Sequence, residues 1–395
     1  MKVLHVIPSI PKVRGGPSRS TIEMVEALRQ KGVDAEIATT NDNGDSLLNV
    51  PLQQRIIYEQ VPVWFFHRFS PSIRAVSEYA FSGQYTSWLW QNVKNYDLIH
   101  VHALFSYPST AAMAIARAQR IPYIVAPHGL LCEWSLQQSK VKKKLYLKLI
   151  EQSNLAHSRS LHVTARQEQV EISELNLPCS TFMLPHGLLP SPIIPNARQN
   201  LRQKLNLPSD EPIIIFLSRL HYKKGLDYLI PALGNLKDQR FTFVIAGSGT
   251  AEYEAEIESM LSLAQIRDRT HLLGFIEGET KDLFLQGSDL FALTSHSENF
   301  GVAVLEAWSA GLPVLLTPGV ALASVTKQHN LGYVSELEIN AITNALTHHL
   351  NRSAEATAIG DRARQFVLEN YTWDKIATQM IEVYQSTLER QTSRA

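Results

Sequence analysis

The 395-residue sequence has few cysteines and no excess of basic over acidic residues. Its two cysteines, Cys132 and Cys179, are too far apart for a CxxC site and too few for a disulfide framework, so they predict buried thiols in a reducing compartment. Its 37 basic residues balance its 37 acidic ones, which argues against a protein that binds nucleic acid over its whole surface.

Long apolar runs are also missing. No stretch approaches the ~18 uninterrupted apolar residues of a membrane-spanning helix. The N-terminal segment MKVLHVIPSIP has too short an apolar run and too early a proline for a signal peptide. We therefore expect a cytoplasmic protein.

Glycine and metal motifs are incomplete. Gly15 and Gly16 follow the first predicted strand without the full GxGxxG spacing, and FVIAGSGT is a truncated glycine motif. A flexible turn explains either one, and neither predicts a dinucleotide fold. No DxD-type metal signature stands at a strand end, so we expect no metal site.

Short β-branched runs alternate with helix-length segments almost throughout. This alternation predicts βαβ units and mostly parallel sheets. In the N-terminal half the predicted strands are KVLHVI, DAEIATT, DLIHVH, PYIVAPH and SLHVTA, and a helix capped by Ser18 is expected to run through about Gln30. In the C-terminal half they are IIIFL, FTFVIAG, HLLGF, DLFALT and PVLLT.

A proline-rich stretch, LPHGLLPSPIIPN (184–196), separates the two halves. Helices and central strands do not tolerate that density of proline, so the stretch is interpreted as an interdomain linker. The sequence therefore predicts two doubly wound α/β domains, residues 1–187 and 188–371. In such sheets ligands bind outside the carboxyl ends of the strands.

The segment SENFGVAVLEAWSAGLPVLL predicts a strand-exit loop followed by a helix. We expect the helix to begin near Asn299 or Phe300, which leaves the amides of Phe300, Gly301 and Val302 without intrahelical partners. Such amides at a positive helix end form an anion site suited to a diphosphate.

Two carboxylates flank this anion site. Glu298 lies just ahead of the helix and Glu306 lies nearly two turns inside it. Carboxylates accept hydrogen bonds from sugar hydroxyls, so a ribose or hexose is one partner for each. The alternative is a buried ion pair with a neighbouring Arg or Lys, together with a surface glutamate.

A second candidate loop is SRLHYKKG, after the strand IIIFL. Arg219 and Lys224 bring two cations to the carboxyl edge of a predicted sheet, where they suit a polyphosphate, and Gly225 is expected to open a helix through about Leu236. The alternative is a solvated loop.

Histidines at strand ends are a third feature. His128, in APHGLL, is placed to contact substrate or to donate to a developing charge. The alternative is a satisfied core histidine, which is the interpretation we give to His100 and His102.

The segment KVKKKLYLKLIEQ interleaves lysines with apolar residues from Lys140 to Lys148. A basic amphipathic helix of this kind can lie on an anionic membrane surface. The alternative is a solvated helix face.

Taken together, these segments resemble the retaining glycosyltransferases of family 4, over nearly the whole length. The resemblance rests on VIPSIPKVRGGPSRS, on SRLHYKKGLDYLI and, most specifically, on SENFGVAVLEAWSAGLPVL, which matches the E-x7-E signature. It implies the GT-B architecture, two Rossmann-like domains facing across a cleft. The last segment, residues 372–395, resembles the final helix that crosses back to the N-terminal, acceptor-binding domain.

The resemblance also implies roles for residues of this sequence. Arg219 and Lys224 would hold the donor diphosphate, Glu306 the ribose hydroxyls and Glu298 the hydroxyls of the donor sugar. Further donor contacts are implied for the Gly15–Gly16 loop, Phe275, Ile276, Asn299, Phe300, Gly301 and Val302.

His128 matches the strand-end histidine that lies near the reacting centre in this family. One departure is His186, which stands where the family often has asparagine.

The implied activity is a metal-independent, retaining transfer of a hexose, with UDP-glucose as the expected donor and no cofactor. The expected acceptor is a glycan or lipid-linked glycan of envelope or exopolysaccharide synthesis, reached at the inner face of the membrane. Two alternatives stay open: a nucleotide-sugar 2-epimerase of the same architecture, and a hinged protein that binds nucleotide sugars without turnover.

Overall fold

The computed structural model describes residues 1–11, 15–73, 77–351 and 353–392. The chain divides into two compact units, Met1–Gly187 with Trp373–Ala395, and Leu188–Thr372, which we call unit 1 and unit 2. The division falls within the proline-rich stretch. Each unit is an α/β fold built on a mainly parallel sheet, as the alternation of strands and helices predicts.

Unit 1 contains a sheet whose strand order is β10-β9-β8-β7-β1-β2-β6-β5. All of its pairings are parallel except that of the edge strand β5 with β6. The strands are β1 Lys2–Val6, β2 Asp34–Thr40, β5 Arg55–Tyr58, β6 Val61–Phe66, β7 Leu98–His102, β8 Tyr123–Ala126, β9 Leu161–Val163 and β10 Thr181–Met183, and a small hairpin pairs β3 Asp42–Asn43 with β4 Ser46–Leu47.

Helices cover both faces of the unit 1 sheet. One face, with Val3, Leu98 and Ile124, packs against the helices Gly16–Gln30 and Trp373–Thr392. The opposite face packs against Gly83–Asn92 and Tyr107–Gln119. The remaining helices of unit 1 are Glu133–Gln137, Lys140–Tyr146, Gln152–Ala156 and Arg166–Glu174, and Leu147–Glu151 forms a π-helical turn. The C-terminal helix thus belongs to unit 1, as expected.

Unit 2 contains a parallel sheet whose strand order is β13-β12-β11-β14-β15-β16. Its strands are β11 Ile213–Leu217, β12 Thr242–Ala246, β13 Thr270–Gly274, β14 Leu290–Leu293, β15 Val314–Leu316 and β16 Gly332–Val334. Its helices are Ala197–Lys204, Leu226–Gly234, Ala251–Leu263, Gly278–Gly287, Val302–Ser309, Ala323–His329, Ile339–Leu350 and Ser353–Asn370.

Each sheet has a point where the strand order reverses direction. In unit 1 it lies between β1 and β7, and in unit 2 between β11 and β14. The loops that leave these neighbouring strands run in opposite directions and open a crevice, which is where ligands of doubly wound sheets bind.

The first helix and the helix after Lys224 have boundaries that differ from the sequence prediction. The first helix begins at Gly16 instead of after Ser18, because Gly15 and Pro17 start it and the Ser18 hydroxyl donates to the Ser9 carbonyl at 2.9 Å instead of capping. The helix after Lys224 runs from Leu226 to Gly234, two residues short of the predicted end. Sequence analysis also missed the strands β3, β4, β5, β6, β10 and β16.

Candidate active site

The loop after β11 carries Arg219 and is held by two glycines of the loop after β12. A side chain on Gly247 would meet the Ser218 carbonyl oxygen at 1.8 Å, and one on Gly249 would meet that of Leu220 at 2.6 Å. The Leu220 amide donates to the Ser248 carbonyl at 2.9 Å. The glycines of FVIAGSGT therefore allow the backbones to pack closely, a role that sequence analysis did not assign to them.

The same loop is tied to the loop after β14. The His296 amide donates to the Lys223 carbonyl at 2.9 Å, and the Thr294 hydroxyl donates to that of Gly225 at 2.8 Å. Gly225 has φ 71°, and a Cβ there would lie 1.9 Å from the Thr294 carbonyl oxygen. Both loops are thus fixed at the switch point of unit 2.

Lys224 and Glu298 meet at this point. The Lys224 ammonium donates to a carboxylate oxygen of Glu298, and both side chains are largely buried. The Glu298 backbone is fixed in turn, because its amide donates to the Gly319 carbonyl at 2.7 Å and its carbonyl accepts from the Ala321 amide at 3.0 Å.

The net charge around Glu298 favours its ionised form. Burial raises the pKa of the Glu298 carboxyl, but Lys224, through its charge and its hydrogen bond, and then Lys223 and Arg219 hold that pKa below its usual range. Glu298 is therefore a carboxylate at neutral pH. Arg219 itself is exposed on the same loop, where its guanidinium is accessible to an anionic ligand.

Glu306 lies on the Val302–Ser309 helix and also has a cationic partner. The Lys281 ammonium donates to it at 2.6 Å, and the two side chains are 11% and 14% exposed. Both glutamates thus have an ion-pair partner, and neither is the surface glutamate that the alternative includes. Sequence analysis missed Lys281, since nothing in the spacing of Gly278–Gly287 distinguishes it from a surface lysine.

The Val302–Ser309 helix begins later than the sequence predicts. Gly301 occupies the cap position with φ 91°, so Val302 is the first helical residue. The amides that lack i−4 partners at this helix start are therefore those of Gly301, Val302 and Ala303, since the Val304 amide donates to the Gly301 carbonyl at 2.8 Å. Phe300 precedes the cap. Phe300 is buried and Asn299 is half-buried, both next to Glu298.

Phe275 and Ile276 follow β13, beside the glycine loop. The ring of Phe275 is 62% exposed, and Ile276 is half-buried. The Gly247 amide donates to the Gly274 carbonyl at 2.7 Å. The two residues therefore lie at the same carboxyl edge of the unit 2 sheet as Arg219.

In unit 1, Gly15 and Gly16 stand at the start of the first helix, after β1. Gly15 has φ 88° and caps this helix. Lys12, Val13 and Arg14, which precede these glycines in the same loop, lie outside the described residues.

His128 follows β8 with a left-handed backbone, φ 51°, and Gly129 continues it with φ 77°. A left-handed conformation at a non-glycine residue is strained and is often found at functional sites. The Gly129 amide donates to the Glu168 carboxylate at 2.6 Å, which holds the loop in place.

His128 is the end of a row of buried rings that sequence analysis did not foresee. Strand alternation places His5, His100 and His102 on one face of the unit 1 sheet, the face covered by the first and last helices. Neighbouring rings are linked by hydrogen bonds. We call the row the histidine chain; it consists of His162, His100, Tyr384, His5, His102 and His128.

Burial keeps the imidazole rings of the histidine chain neutral. It lowers the pKa of His5 to about 3 and that of His162 to about 4, and the pKa values of His100, His102 and His128 are also well below their usual range. His186 stacks on His128 with ring centroids 5.5 Å apart, and burial lowers its pKa to about 3. His100 and His102 are buried, as predicted.

The lysine-rich segment of unit 1 presents an apolar stripe to solvent. Val141, Leu145 and Leu149, spaced four apart, are 79%, 56% and 68% exposed. Lysines flank the stripe, and all except Lys143 are exposed; Lys143 donates to the Ser135 carbonyl at 2.8 Å. Among the residues that the structure describes, no helix combines the length and apolar character needed to cross a membrane.

The sequence matches two protein families in succession. Residues 15–184 match the glycosyl transferase 4-like domain and residues 197–366 match the glycosyl transferases group 1 family. An uncharacterized glycosyltransferase of Methanocaldococcus jannaschii is 30% identical over 48% of this chain and 49% of its own length, so the chain matches about half of that relative. A D-inositol 3-phosphate glycosyltransferase of Xylanimonas cellulosilytica is 26% identical over 96% of this chain and 94% of its own length.

Solved structures share the fold over the whole chain. The sucrose-phosphate synthase of Thermosynechococcus elongatus superposes with a TM-score of 0.80 at 18% identity, covering 99% of this chain and 100% of its own. Anabaena HepE, solved in complex with UDP-glucose, gives 0.76 at 19% identity, covering 98% and 100%. The chain therefore combines a glycosyl transferase 4-like domain with a glycosyl transferases group 1 domain on the GT-B fold, the make-up of a glycosyltransferase.

Proposed function

We propose that this protein transfers glucose from UDP-glucose, with retention of anomeric configuration, to a glycan or a lipid-linked glycan. The observation that carries the proposal is the meeting of Arg219, Lys224 and Glu298 at the switch point of unit 2. The UDP-glucose complex of Anabaena HepE, a protein of the same fold, supports the choice of donor.

In this proposal the donor exchanges partners with the ion pair. Its diphosphate takes Lys224 and Arg219, and its sugar hydroxyls donate to the Glu298 carboxylate that Lys224 releases. The two cations then stabilise the negative charge that develops on the departing diphosphate. They supply this charge without a metal ion.

The rest of the nucleotide is assigned to neighbouring residues. Glu306 accepts from the ribose hydroxyls, and the Val302 and Ala303 amides at the helix start face phosphate oxygens. The backbone at Phe275 and Ile276 seats the base, and the exposed Phe275 ring offers it a stacking surface.

The acceptor is assigned to unit 1. The exposed stripe of Val141, Leu145 and Leu149 with its flanking lysines fits a surface of anionic lipid headgroups over an apolar layer. We therefore place the enzyme at the cytoplasmic face of a membrane, where a lipid-linked glycan is available. The enzyme can then reach such an acceptor while the acceptor stays in the membrane.

UDP-glucose turnover without acceptor tests the proposal. We expect slow release of UDP and glucose, and NMR of the sugar at early times should show the α anomer, because retaining transfer to water preserves the donor's configuration. Tight binding without release would instead identify a non-catalytic binding protein, and a changed sugar still attached to UDP would identify an epimerase.

Lys224→Ala should lower kcat about 10²–10³-fold, the usual effect of removing one group that stabilises transition-state charge. Lys237→Ala is the matched control, because Lys237 lies in the same unit and its ammonium donates to the Gln265 side chain, at 2.7 Å. Equal kcat values for Lys224→Ala and the parent protein would refute the diphosphate role.

Glu306→Gln tests the ribose assignment separately. Replacing a charged acceptor by a neutral one should weaken UDP binding about tenfold, which isothermal titration calorimetry measures. Unchanged affinity for UDP would remove Glu306 from the donor site without affecting the assignment of Lys224.

A further inference from the structure

The hydrogen bonds of the histidine chain have a direction that its neutral rings determine. A neutral imidazole has one N–H donor and one bare acceptor nitrogen. At one end, His162 Nε2 lies 2.8 Å from the Leu184 carbonyl oxygen, which can only accept. His162 therefore carries its proton on Nε2 and has a bare Nδ1.

The next links follow from this anchor. His100 Nε2 lies 3.4 Å from His162 Nδ1, so it must donate, and His100 Nδ1 is bare. The Tyr384 hydroxyl, 2.8 Å from His100 Nδ1, donates its proton there.

Tyr384 can then only accept on its other side. His5 Nε2, 3.4 Å from the Tyr384 oxygen, donates to it, so His5 Nδ1 is bare. His102 Nε2 lies 3.0 Å from His5 Nδ1 and donates in turn.

The last link reaches His128. His102 Nδ1 is bare and lies 3.0 Å from His128 Nε2, which therefore donates to it. The Thr21 hydroxyl lies 3.5 Å from the same His102 nitrogen but already donates to the Pro17 carbonyl at 2.8 Å. His128 Nδ1 is left as an acceptor that is shielded from solvent and has no hydrogen-bond partner among the described residues.

We propose that the Leu184 carbonyl, acting through the histidine chain, fixes His128 as the Nε2–H tautomer and makes its Nδ1 a preset hydrogen-bond acceptor. The chain members are then positioning residues, and His128 is the residue that meets the ligand. A buried acceptor needs a donor, so the ligand group at Nδ1 is a hydroxyl and not a phosphate oxygen. This last step rests on the proposed function, which supplies the sugar hydroxyl.

A metal centre is the competing use of these rings. His5, His100 and His102 each bring a ring nitrogen within 4.8 Å of the other two. However, ring nitrogens of these residues already bind one another and Tyr384, as described, and the cluster includes no carboxylate or thiolate to balance a buried divalent charge. The hydrogen-bonded chain accounts for each nitrogen, and a metal does not.

The test reads the tautomer directly in the free protein, by long-range ¹H–¹⁵N NMR of histidine-labelled chain with His128→Gln as the assignment variant. The expected result is a His128 ring with a protonated Nε2 and a bare Nδ1. A protonated Nδ1, a doubly protonated ring, or one tightly bound zinc ion per chain by elemental analysis would overturn the proposal. Since no donor is added, this outcome does not depend on the proposed activity.

Tyr384→Phe removes one hydrogen-bonding link of the histidine chain without changing the shape of the core. His128 should then populate both tautomers, which the same NMR measurement reports. Tyr85→Phe is the matched control, because Tyr85 is equally buried and donates to the Pro108 carbonyl at 3.1 Å outside the chain. An unchanged His128 spectrum in Tyr384→Phe would refute the relay.

A second pair of variants tests the anchor. His162→Leu removes the link to Leu184 and should release the His128 tautomer. His162→Gln supplies an amide that donates to the Leu184 carbonyl and accepts from His100, so it should restore the single tautomer. If the glutamine variant behaved like the leucine variant while both remained folded, the anchoring role of Leu184 would be wrong.

Discussion

The two units have similar parallel sheets, but the polar side chains at their switch points differ: they are charged in unit 2 and neutral in unit 1. At the switch point of unit 2, charged side chains are gathered in pairs, Lys224 with Glu298 and, nearby, Lys281 with Glu306. At the switch point of unit 1, between β1 and β7, the buried polar groups of the histidine chain are neutral. The proposed function uses the ion pairs of unit 2 to exchange partners with a charged ligand, and we propose that the neutral rings of unit 1 present a fixed hydrogen-bonding group.

The two units also differ in which residues adopt a left-handed backbone conformation near their switch points. In unit 2 the left-handed positions in the loops after β11 and β14 are the glycines Gly225 and Gly301. In unit 1, Ala103, Phe105 and His128 adopt left-handed conformations after β7 and β8. Side chains are thus retained at strained positions in unit 1, while unit 2 gives them up for close approach of backbones.

The largest expected difference between the two units is their loss of stability in mild acid. The native state keeps six histidines of unit 1 neutral, whereas the unfolded chain protonates them below a pKa of about 6.5. The unfolded state therefore binds more protons, and the free energy of unfolding falls as pH falls from about 6.5 towards the native pKa values near 3 and 4. Each histidine contributes up to about 1.4 kcal/mol per pH unit.

Hydrogen exchange with mass spectrometry, corrected for the intrinsic rate, measures this difference peptide by peptide at pH 7.5 and 5.5. Unit 1 should lose several kcal/mol of protection. Unit 2, whose strongly buried histidine is His349 with a pKa lowered to about 4, should lose less. Earlier loss of protection in unit 2 would contradict the comparison.

Gly225→Ala should give the next largest effect. The added Cβ would lie 1.9 Å from the Thr294 carbonyl oxygen at φ 71°, so strain and crowding together should cost about 3 kcal/mol or more. Gly32→Ala in unit 1 is the control, because its φ is 86° but no atom lies within 4 Å of the added carbon. Its expected cost is about 1 kcal/mol. Denaturant unfolding measures both, and equal costs would show that the loop contact does not constrain Gly225.

The ion pair of Lys281 and Glu306 should contribute less. The pair is partly shielded, so Lys281→Met or Glu306→Gln alone should each cost about 2 kcal/mol, between the values for exposed and fully buried pairs. The double variant should recover part of this loss, since neither charge is left unpaired. Strictly additive losses in a double-mutant cycle would argue that the two side chains act independently.

Membrane contact should give the smallest change per residue. Lys144→Gln should weaken binding to vesicles that contain anionic lipid by about 1 kcal/mol, roughly fivefold, and the difference should shrink at high salt. Lys237→Gln in unit 2 serves as the control. The same affinity for all three proteins would assign the lysine-rich segment to a solvated surface.

The sequence predicted the positions of most central strands, but it did not predict the features that depend on pairing between separate segments. Strands such as IIIFL and DAEIATT form at the expected residues, because period and β-branching are local properties. Strands β5 and β6 were missed although they form a hairpin, because the turn residues Glu59 and Gln60 both have positive φ without the Asn-Gly type of sequence that marks such a turn. Pro62, inside β6, also argues against a strand in the sequence. The start of the Val302–Ser309 helix was placed too early, because the bridge between Glu298 and Val320 is not visible in local propensity.

For the candidate site, the sequence indicated residues but not their partners. The E-x7-E spacing pointed to Glu298 and Glu306, yet Lys281 had no signal, since an ion pair across two helices has no fixed spacing. The histidines on β7 were interpreted as core residues, and they are buried. That they form one chain with His5 and Tyr384 depends on strand register and on the C-terminal helix, which only the fold determines.

The pairing of Lys224 with Glu298 also has a consequence for selectivity. A free phosphate could satisfy Lys224 but would leave the Glu298 carboxylate without a partner in a largely buried position. A free sugar could satisfy Glu298 but would leave the lysine in the same state. In the proposed function, a molecule that carries both an anion and adjacent hydroxyls satisfies the two at once, so we expect the ion pair to favour the complete donor over either half alone.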